Sequence, residues 1–465
     1  MLQLLPLEDG PAGRSLVAHP EVGGVVLTGS YDTARMFLTW APQRRLLAET
    51  SGKNSIIVSA TADVDQAVRD VVMSAFGHAG QKCSAASLAI VVAPVYDNSP
   101  FLRQLADAVK SLRTGPATDP ASQVGPVVGP FTKSLEEALT RLGPGESWLV
   151  EPSCLDARFE AGPGTGRRTA GLRFLSEGGR FWSPGVRTGV RPGSWAHTTE
   201  WFGPVLGVMR ADSFEEALTW QNAVPYGLTA GLSSLDPAEH RRWADAVEAG
   251  NLYVNRSTTG AVVGRQPFGG WKRSSLGPTA KAGGPNYLIG LRRWRDSSTV
   301  GLEEARASYR RWWWQHFGRS TELAGLASES NELRYRAYLP GVIVRAHGSV
   351  PDDELRKAAE LSRLTGTPVA FSLPRARPGF SPGAPVAVES GESFAASLGR
   401  SQGQGARLRL LGAAEDVVLE AGAEAGVTML DEPICSCGRV ELPRWLREQV
   451  LTRSLHRYGN IVYTR

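Results

Sequence analysis

An α/β fold is what this sequence predicts, and three observations predict it. Short apolar runs alternate with longer stretches whose apolar residues recur at helical spacing, as from Ser55–Val58 to Asp63–Phe76 to Leu88–Val92. Gly- and Ser-rich turns separate the two patterns. The composition, 42% hydrophobic and 21% charged, is that of a globular chain, and 465 residues suffice for about three domains.

Each element follows from its own residues. Gly24-Val25-Val26-Leu27 reads as a strand, Thr28-Gly29-Ser30 as a turn and Asp32–Trp40 as a helix. Leu46–Glu49 and Ser55–Val58 read as strands on either side of a turn at Gly52. Asp63 caps an amphipathic helix that places Val64, Ala67, Val68, Val71, Val72 and Ala75 on one face. Gly77–Gly80 is a turn leading through Cys83 into the buried-type strand Leu88–Val92. Residues 141–195 are turn-rich, with Ala161–Arg168 read as a surface insertion. Regular patterning resumes at Pro204–Met209 and Ser213–Ala223 and gives way to the Gly-rich stretch Gly260–Gly284. Arg292–Gly318, with its Trp312-Trp313-Trp314 run, reads as a helix docking onto another domain or subunit. Beyond residue 330 strands (Gly341–Ala346, Pro368–Leu373, Arg407–Leu411, Val427–Leu430) alternate with helices (Pro351–Leu364, Glu392–Gly399, Glu415–Ala425), which predicts a compact doubly wound unit. Leu442–Arg453 reads as a final amphipathic helix.

Several function classes are excluded at this level. The net charge of +5 comes mostly from dispersed arginines, densest at Arg292–Arg311 and not interleaved with a reader motif, so no nucleic-acid partner is expected. The longest apolar stretch, Leu88–Val95, is far short of a membrane span, and the opening MLQLLPLEDG lacks the basic region of a signal peptide. Four scattered cysteines make no disulfide framework, which places the chain in a reducing, cytoplasmic setting. Cys435-Ser436-Cys437 has no second pair, and the seven histidines show no i, i+4 pairing, so no metal site is expected.

Three places can carry chemistry. Cys83 follows a Gly-rich turn and sits beside Lys82, an environment that favours a thiolate. Glu49 ends a strand before Gly52, and Glu200-Trp201-Phe202-Gly203-Pro204 presents a carboxylate and a ring at a turn. Taken singly, they read as well as a core cysteine, a solvated loop acid and an ordinary turn.

Taken together, with Asn255 and Gln266-Pro267-Phe268-Gly269-Gly270 downstream, the order and spacing resemble the aldehyde dehydrogenase superfamily. Gly77-His78-Ala79-Gly80-Gln81-Lys82-Cys83-Ser84, Gly260-Ala261 leading to Phe268, and Lys281-Ala282-Gly283-Gly284-Pro285-Asn286 are similar to its L-glutamate γ-semialdehyde (Δ1-pyrroline-5-carboxylate) dehydrogenase branch. The resemblance covers roughly residues 1–300, and 331–465 resembles the C-terminal extension of some bacterial proline-utilisation flavoproteins.

The resemblance implies NAD as cofactor, an aldehyde substrate, Cys83 as nucleophile with its backbone N–H in the oxyanion hole, and Glu49 as the general base for thioester hydrolysis. It assigns Ser30 to the cofactor pyrophosphate, Glu200 to the nicotinamide ribose, Phe202 to that end of the cofactor and Lys82 to its vicinity. Ser84, Gly260, Ala261 and Phe268 fall to the pocket for the amino-acid end of the substrate. The expected organisation is a remnant of the NAD-binding domain (1–50), a catalytic domain (51–256), a Gly-rich return and oligomerisation segment (257–330) and a C-terminal α/β domain (331–465). Met1–Val26 holds no counterpart of the family's early cofactor-domain motifs, so an N-terminal truncation is expected, with no proline dehydrogenase barrel upstream. A homo-oligomer, or a partner chain supplying the missing half, follows as the expected assembly. The alternatives are a non-catalytic or split-enzyme fragment acting only in assembly, and an acylating coenzyme A-dependent dehydrogenase, which would not need Glu49.

Overall fold

The computed structural model describes residues 2–7, 10–98, 100–129, 131–156, 180–278, 280–400 and 405–461. Ala161–Arg168 lies outside the described residues. The chain divides into two compact units, one built from 1–51, 262–324 and 331–450, the other from 52–261, 325–330 and 451–465. Among the described residues no helix is long and apolar enough to cross a membrane.

The first unit opens with strand β1 (Val25–Thr28), the helix Tyr31–Trp40 and strand β2 (Leu46–Glu49). β1 and β2 pair in parallel, Thr28 opposite Glu49. Ser30 ends the turn and caps the helix, its Oγ accepting from the Thr33 N–H at 3.0 Å.

The second unit is a mostly parallel sheet of β3 (Asn54–Val58), β4 (Ala86–Val92), β5 (Ser147–Val150), β6 (Gly185–Thr188), β7 (Val205–Ala211), β8 (Thr229–Ser233) and β9 (Asn251–Val254). Their order is β9-β8-β3-β4-β7-β6-β5, with only β5 antiparallel to its neighbour. β3, β8 and β9 are buried at every residue, as parallel strands covered on both faces must be. The helix Val64–Phe76, capped by Asp63, buries Ala67, Val68, Val71, Ala75 and Phe76 in the unit's main core. The face read from the sequence is the face that packs.

The chain returns to the first unit with β10 (Ser275–Leu276), antiparallel to β2. The helix Leu302–Trp312 packs on the helix Asp352–Thr365 of the same unit, and a π-helical turn, Trp313–Phe317, follows it. Trp312 and Trp313 rest on the core there, while Trp314 is 69% exposed. Next come β11 (Glu329–Ala337), β12 (Val342–Ala346), β13 (Val369–Leu373), β14 (Val386–Val388), β15 (Arg407–Leu411) and β16 (Thr428–Leu430). β12 to β16 form an all-parallel sheet in the order β14-β13-β12-β15-β16, a doubly wound arrangement of the kind the alternation predicts.

The helix expected over Leu442–Arg453 is not there. A 3₁₀ turn, Leu442–Trp445, leads into strand β17 (Leu446–Ser454), which lies beside β11. Trp445 is fully buried and donates from its indole N–H to Glu441 (3.1 Å), and Arg334 of β11 gives Gln449 two hydrogen bonds (2.9 and 2.7 Å). Tertiary pairing overrides a helical period that the apolar spacing does contain.

Candidate active site

The site begins at the turn between the helix Val64–Phe76 and β4. His78, Ala79 and Gly80 all adopt positive φ (55°, 54° and 68°), a run of left-handed backbone that costs about 1–2 kcal/mol at each non-glycine residue. This turn delivers Cys83 to the surface with an exposed thiol that is in no disulfide. Asn54, 2% exposed at the start of β3, fixes the backbone behind it. Its Nδ2 donates to the carbonyls of Cys83 (2.7 Å) and Ala85 (2.9 Å), while its Oδ1 accepts from the Thr229 N–H (3.0 Å). The carbonyl between them, of Ser84, accepts from the hydroxyls of Thr258 (2.9 Å) and Thr229 (3.3 Å). Three successive carbonyls are thus tied into the unit, while Cys83 itself is exposed.

Glu200 and Phe202 lie on a turn packed against the same loop. The Gly52 N–H donates to Glu200 Oε1 at 2.8 Å, and a Cβ on Gly52 would come within 2.9 Å of the Cys83 carbonyl oxygen. A Cβ on Gly80 would fall 2.2 Å from the Gly203 carbonyl oxygen, so the two backbones touch where no side chain fits. Phe202 has φ 54° and a ring 42% exposed. Just ahead, His197 is fully buried. Its Nδ1 lies 2.9 Å from the donating Gly193 N–H, which leaves Nε2 as the donor to the Trp220 carbonyl (3.0 Å), the neutral tautomer. Burial lowers its pKa, in keeping with that form.

Lys53 is not among the residues that sequence reasoning singles out. It is 2% exposed, and its Nζ lies 3.5 Å from the centroid of Trp201, with the Arg187 guanidinium 4.9 Å from the same ring. Burial and the Arg187 cation hold its pKa well below the usual lysine value, against the pull of Glu200 and Glu146. The visible signal was only a lysine directly ahead of an apolar strand.

Glu49 and Phe268 belong to the first unit, as does Ser30. Glu49 closes β2, where Ser275 of β10 is its antiparallel partner and the Gly29 N–H donates to its carbonyl (3.2 Å). The Phe268-Gly269-Gly270 loop folds over its carboxyl. The Gly270 N–H donates to Oε2 (3.3 Å), and a Cβ on Gly269 would lie 3.0 Å from Oε1. Phe268 and Ala282 exchange backbone hydrogen bonds of 3.0 and 2.8 Å, and Lys281 Nζ donates to the Gly269 carbonyl (2.6 Å), which holds that loop shut. Burial pushes the Glu49 carboxyl up to about 8, against the pull of Lys281 and of the Gly270 N–H and with a further push from Glu448. Burial likewise brings Lys281 down to about 8, opposed by Glu448 and Glu49. Lys281 lies far along the chain from Glu49, so its place beside the base was visible only in the fold.

The remaining candidates belong to the second unit. Lys82 precedes Cys83, with its carbonyl accepting the Ala85 N–H (2.9 Å), and Ser84 is 6% exposed. Gly260 (φ 85°) and Ala261 are both exposed, and a Cβ on Gly260 would meet open space. Asn255 serves the backbone, its side chain exchanging hydrogen bonds with both the N–H and the carbonyl of Ser234 (3.0 and 2.7 Å). Among the described residues no group of three His, Cys, Asp or Glu side chains could hold a metal ion. Cys435 is buried, and burial pushes its thiol up to about 12.

A model of the aldehyde dehydrogenase family matches residues 1–142 and 160–292, more than half of the sequence. The chain belongs to the aldehyde dehydrogenase family. Within this family it is 35% identical over 299 residues to the 1-pyrroline-5-carboxylate dehydrogenase of Geobacillus thermodenitrificans, covering 62% of this chain and 53% of that protein. The enzyme of the same name from Bacillus subtilis is 33% identical over 297 residues, with the same coverage. The structure of proline utilization A from Corynebacterium freiburgense matches with a TM-score of 0.80 at 38% identity, over 98% of this chain and 44% of that one. The chain therefore spans about half the length of the curated aldehyde dehydrogenase relatives it matches. The family match ends at residue 292, whereas the likeness to proline utilization A takes in the C-terminal α/β sheet as well.

Proposed function

We propose that this chain carries the catalytic half of an NAD-dependent oxidation of L-glutamate γ-semialdehyde to L-glutamate, a step of proline catabolism. Cys83 attacks the aldehyde carbon to give a thiohemiacetal, and its backbone N–H steadies the oxyanion. The chemistry that NAD supplies when bound is the acceptance of a hydride. Glu49 then takes a proton from the water that hydrolyses the Cys83 thioester. Ser84, Gly260, Ala261 and Phe268 receive the amino-acid end of the substrate.

The residues present fit the nicotinamide side of the cofactor. Glu200 is steadied through one carboxylate oxygen by the Gly52 N–H, and Phe202 offers an exposed ring two residues later. Ser30 stands at a helix N-terminus, a place suited to the pyrophosphate, and Lys82 directly precedes Cys83. A homo-oligomer is the assembly expected in this reading.

The observation that carries the proposal is the Asn54 clamp, which pins the Cys83 and Ala85 carbonyls behind an exposed thiol. The purified chain, given γ-semialdehyde and NAD, is expected to form NADH, and a Cys83→Ala variant is expected to form none. A folded protein whose Cys83 reacts with a thiol probe but yields no NADH would overturn catalysis by the chain alone and favour the assembly reading.

The pH profile carries a second expectation. Glu49 must be ionised to take a proton, and its pKa stands near 8. Thioester hydrolysis is therefore expected to rise with pH through a midpoint near 8, rather than level off by pH 6 as with an ordinary carboxylate. Single-turnover rates of thioester loss between pH 6 and 9.5 read this directly, and a profile flat above pH 6 would remove Glu49 as the titrating base.

A further inference from the structure

The first unit contains a cavity of about 120 Å³ whose wall includes β2, the Gly-rich return and the C-terminal α/β sheet. Its lining carries more positive charge than its acids can balance. Arg407 is 7% exposed, and its guanidinium carbon lies 4.1 Å from the centroid of Tyr338, while that of Arg447 lies 4.3 Å from the same ring. Arg447 also lies 5.4 Å from the ring of Trp271, and Arg273 lies 5.4 Å from that of Tyr31. All six side chains line the cavity.

The donors of these arginines are underused. Arg407 donates from Nη1 to the carbonyls of Pro443 and Arg444, but its buried Nε–H has no acceptor, and neither has the buried Nε–H of Arg273. Among the described residues Arg273, Arg407 and Arg447 form no ion pair, and the Arg447 guanidinium makes no hydrogen bond. The acids of the wall are already committed. Glu432 is paired with Arg45 and Arg444, and Glu448 accepts from the Asn286 side chain and the Lys281 N–H (2.7 Å). Glu49 accepts the Gly270 N–H, and burial pushes its carboxyl up to about 8, which disfavours its charged form. Two guanidiniums against one tyrosine, without a counter-charge, form an arrangement that an anion completes. Aromatic stacking orients a guanidinium while its N–H edge stays available, and that edge matches the paired oxygens of a carboxylate or phosphate.

We propose that this cavity is a binding site for a small oxyanion, a carboxylate or a phosphate, held by the guanidinium groups of Arg273, Arg407 and Arg447. The site lies among residues to which the oxidation assigns no role, apart from Glu49 in its wall, and it stands whether or not that reading does.

Thermal unfolding of the full chain, at constant ionic strength set with sodium chloride, tests the proposal. Inorganic phosphate and succinate are titrated separately, which distinguishes the two sources of oxyanion. Succinate stands in for glutamate, the product of the proposed oxidation, and the cavity variants separate binding here from binding at the dehydrogenase site. At least one anion is expected to raise Tm along a saturating curve, by on the order of 3 °C at a hundredfold excess over half-saturation. Arg447→Met is expected to keep the packing on Tyr338 and Trp271, to fold, and to weaken half-saturation by about tenfold or more. Arg273→Met should act in the same direction, and Arg310→Met, exposed and outside the cavity, should behave as the unmodified chain. No rise with either anion, a rise that never saturates, or an unchanged rise in both cavity variants overturns the site.

Discussion

Turnover by a Glu49→Gln variant is expected to fall by about 10²–10⁴-fold after a first burst of NADH equivalent to the Cys83 present. Glutamine keeps the shape of the side chain and can still accept the Gly270 N–H, so the loop over the carboxyl stays closed. It cannot take a proton from water. Attack by Cys83 and hydride loss precede the step that needs the base, so only hydrolysis stalls. Rapid-mixing absorbance reads the burst, and mass spectrometry of the quenched protein is expected to find the acyl group on Cys83. A variant that loses the burst along with turnover would place Glu49 in acylation instead.

The same substitution has a stability signature of determined sign. Burial holds the folded-state pKa of Glu49 near 8, above the ordinary carboxylate value, so the folded protein binds this proton more tightly than the unfolded chain. The unsubstituted protein therefore loses stability relative to the Glu49→Gln variant as pH rises from the carboxylate range toward 8. Lys281, itself lowered to about 8, opposes this by pulling the carboxyl down. Urea midpoints of the two proteins at pH 6 and pH 8.5 are expected to diverge in that direction.

What the sequence made legible, and what it hid, follows from the range of the interactions. Asp63 is readable as a cap because its partner is the N–H of Gln66, three residues on. Arg407–Leu411 is readable as a strand because parallel pairing with a neighbour on each side buries it end to end. Leu442–Arg453 misleads because Leu442, Trp445, Leu446 and Val450 repeat at helical spacing, while what decides the conformation is β11, whose buried Asn331, Leu333 and Tyr335 alternate between charged neighbours. Cys83 and Glu49 stand out through the order of their motifs. Asn54 does not, since nothing local to an asparagine announces that it will bind carbonyls at positions 83 and 85 and an N–H at 229, and Lys281, though it opens one of those motifs, owes its place beside Glu49 to the fold.

The largest structural effect is expected from Gly80→Ala. Gly80 has φ 68°, and an added methyl would sit 2.2 Å from the carbonyl oxygen of Gly203 and 2.9 Å from that of Ala75. Both obstacles are backbone, so neither can swing aside. The left-handed conformation alone costs alanine about 1–2 kcal/mol, and forced overpacking adds about 1–3 kcal/mol. A loss of about 2–5 kcal/mol in denaturant unfolding is therefore expected. Gly129→Ala isolates the first contribution, because Gly129 has φ 83° with open space around it and should lose only about 1–2 kcal/mol. The excess belongs to the contact between the thiol loop and the Glu200–Phe202 turn, so it should come with a changed rate of Cys83 modification. Peptide mapping separates that rate from those of the exposed Cys154 and Cys437. Equal losses in the two variants, with Cys83 reactivity untouched, would mean that the two loops are positioned independently and that the chain can spread them without moving its nucleophile.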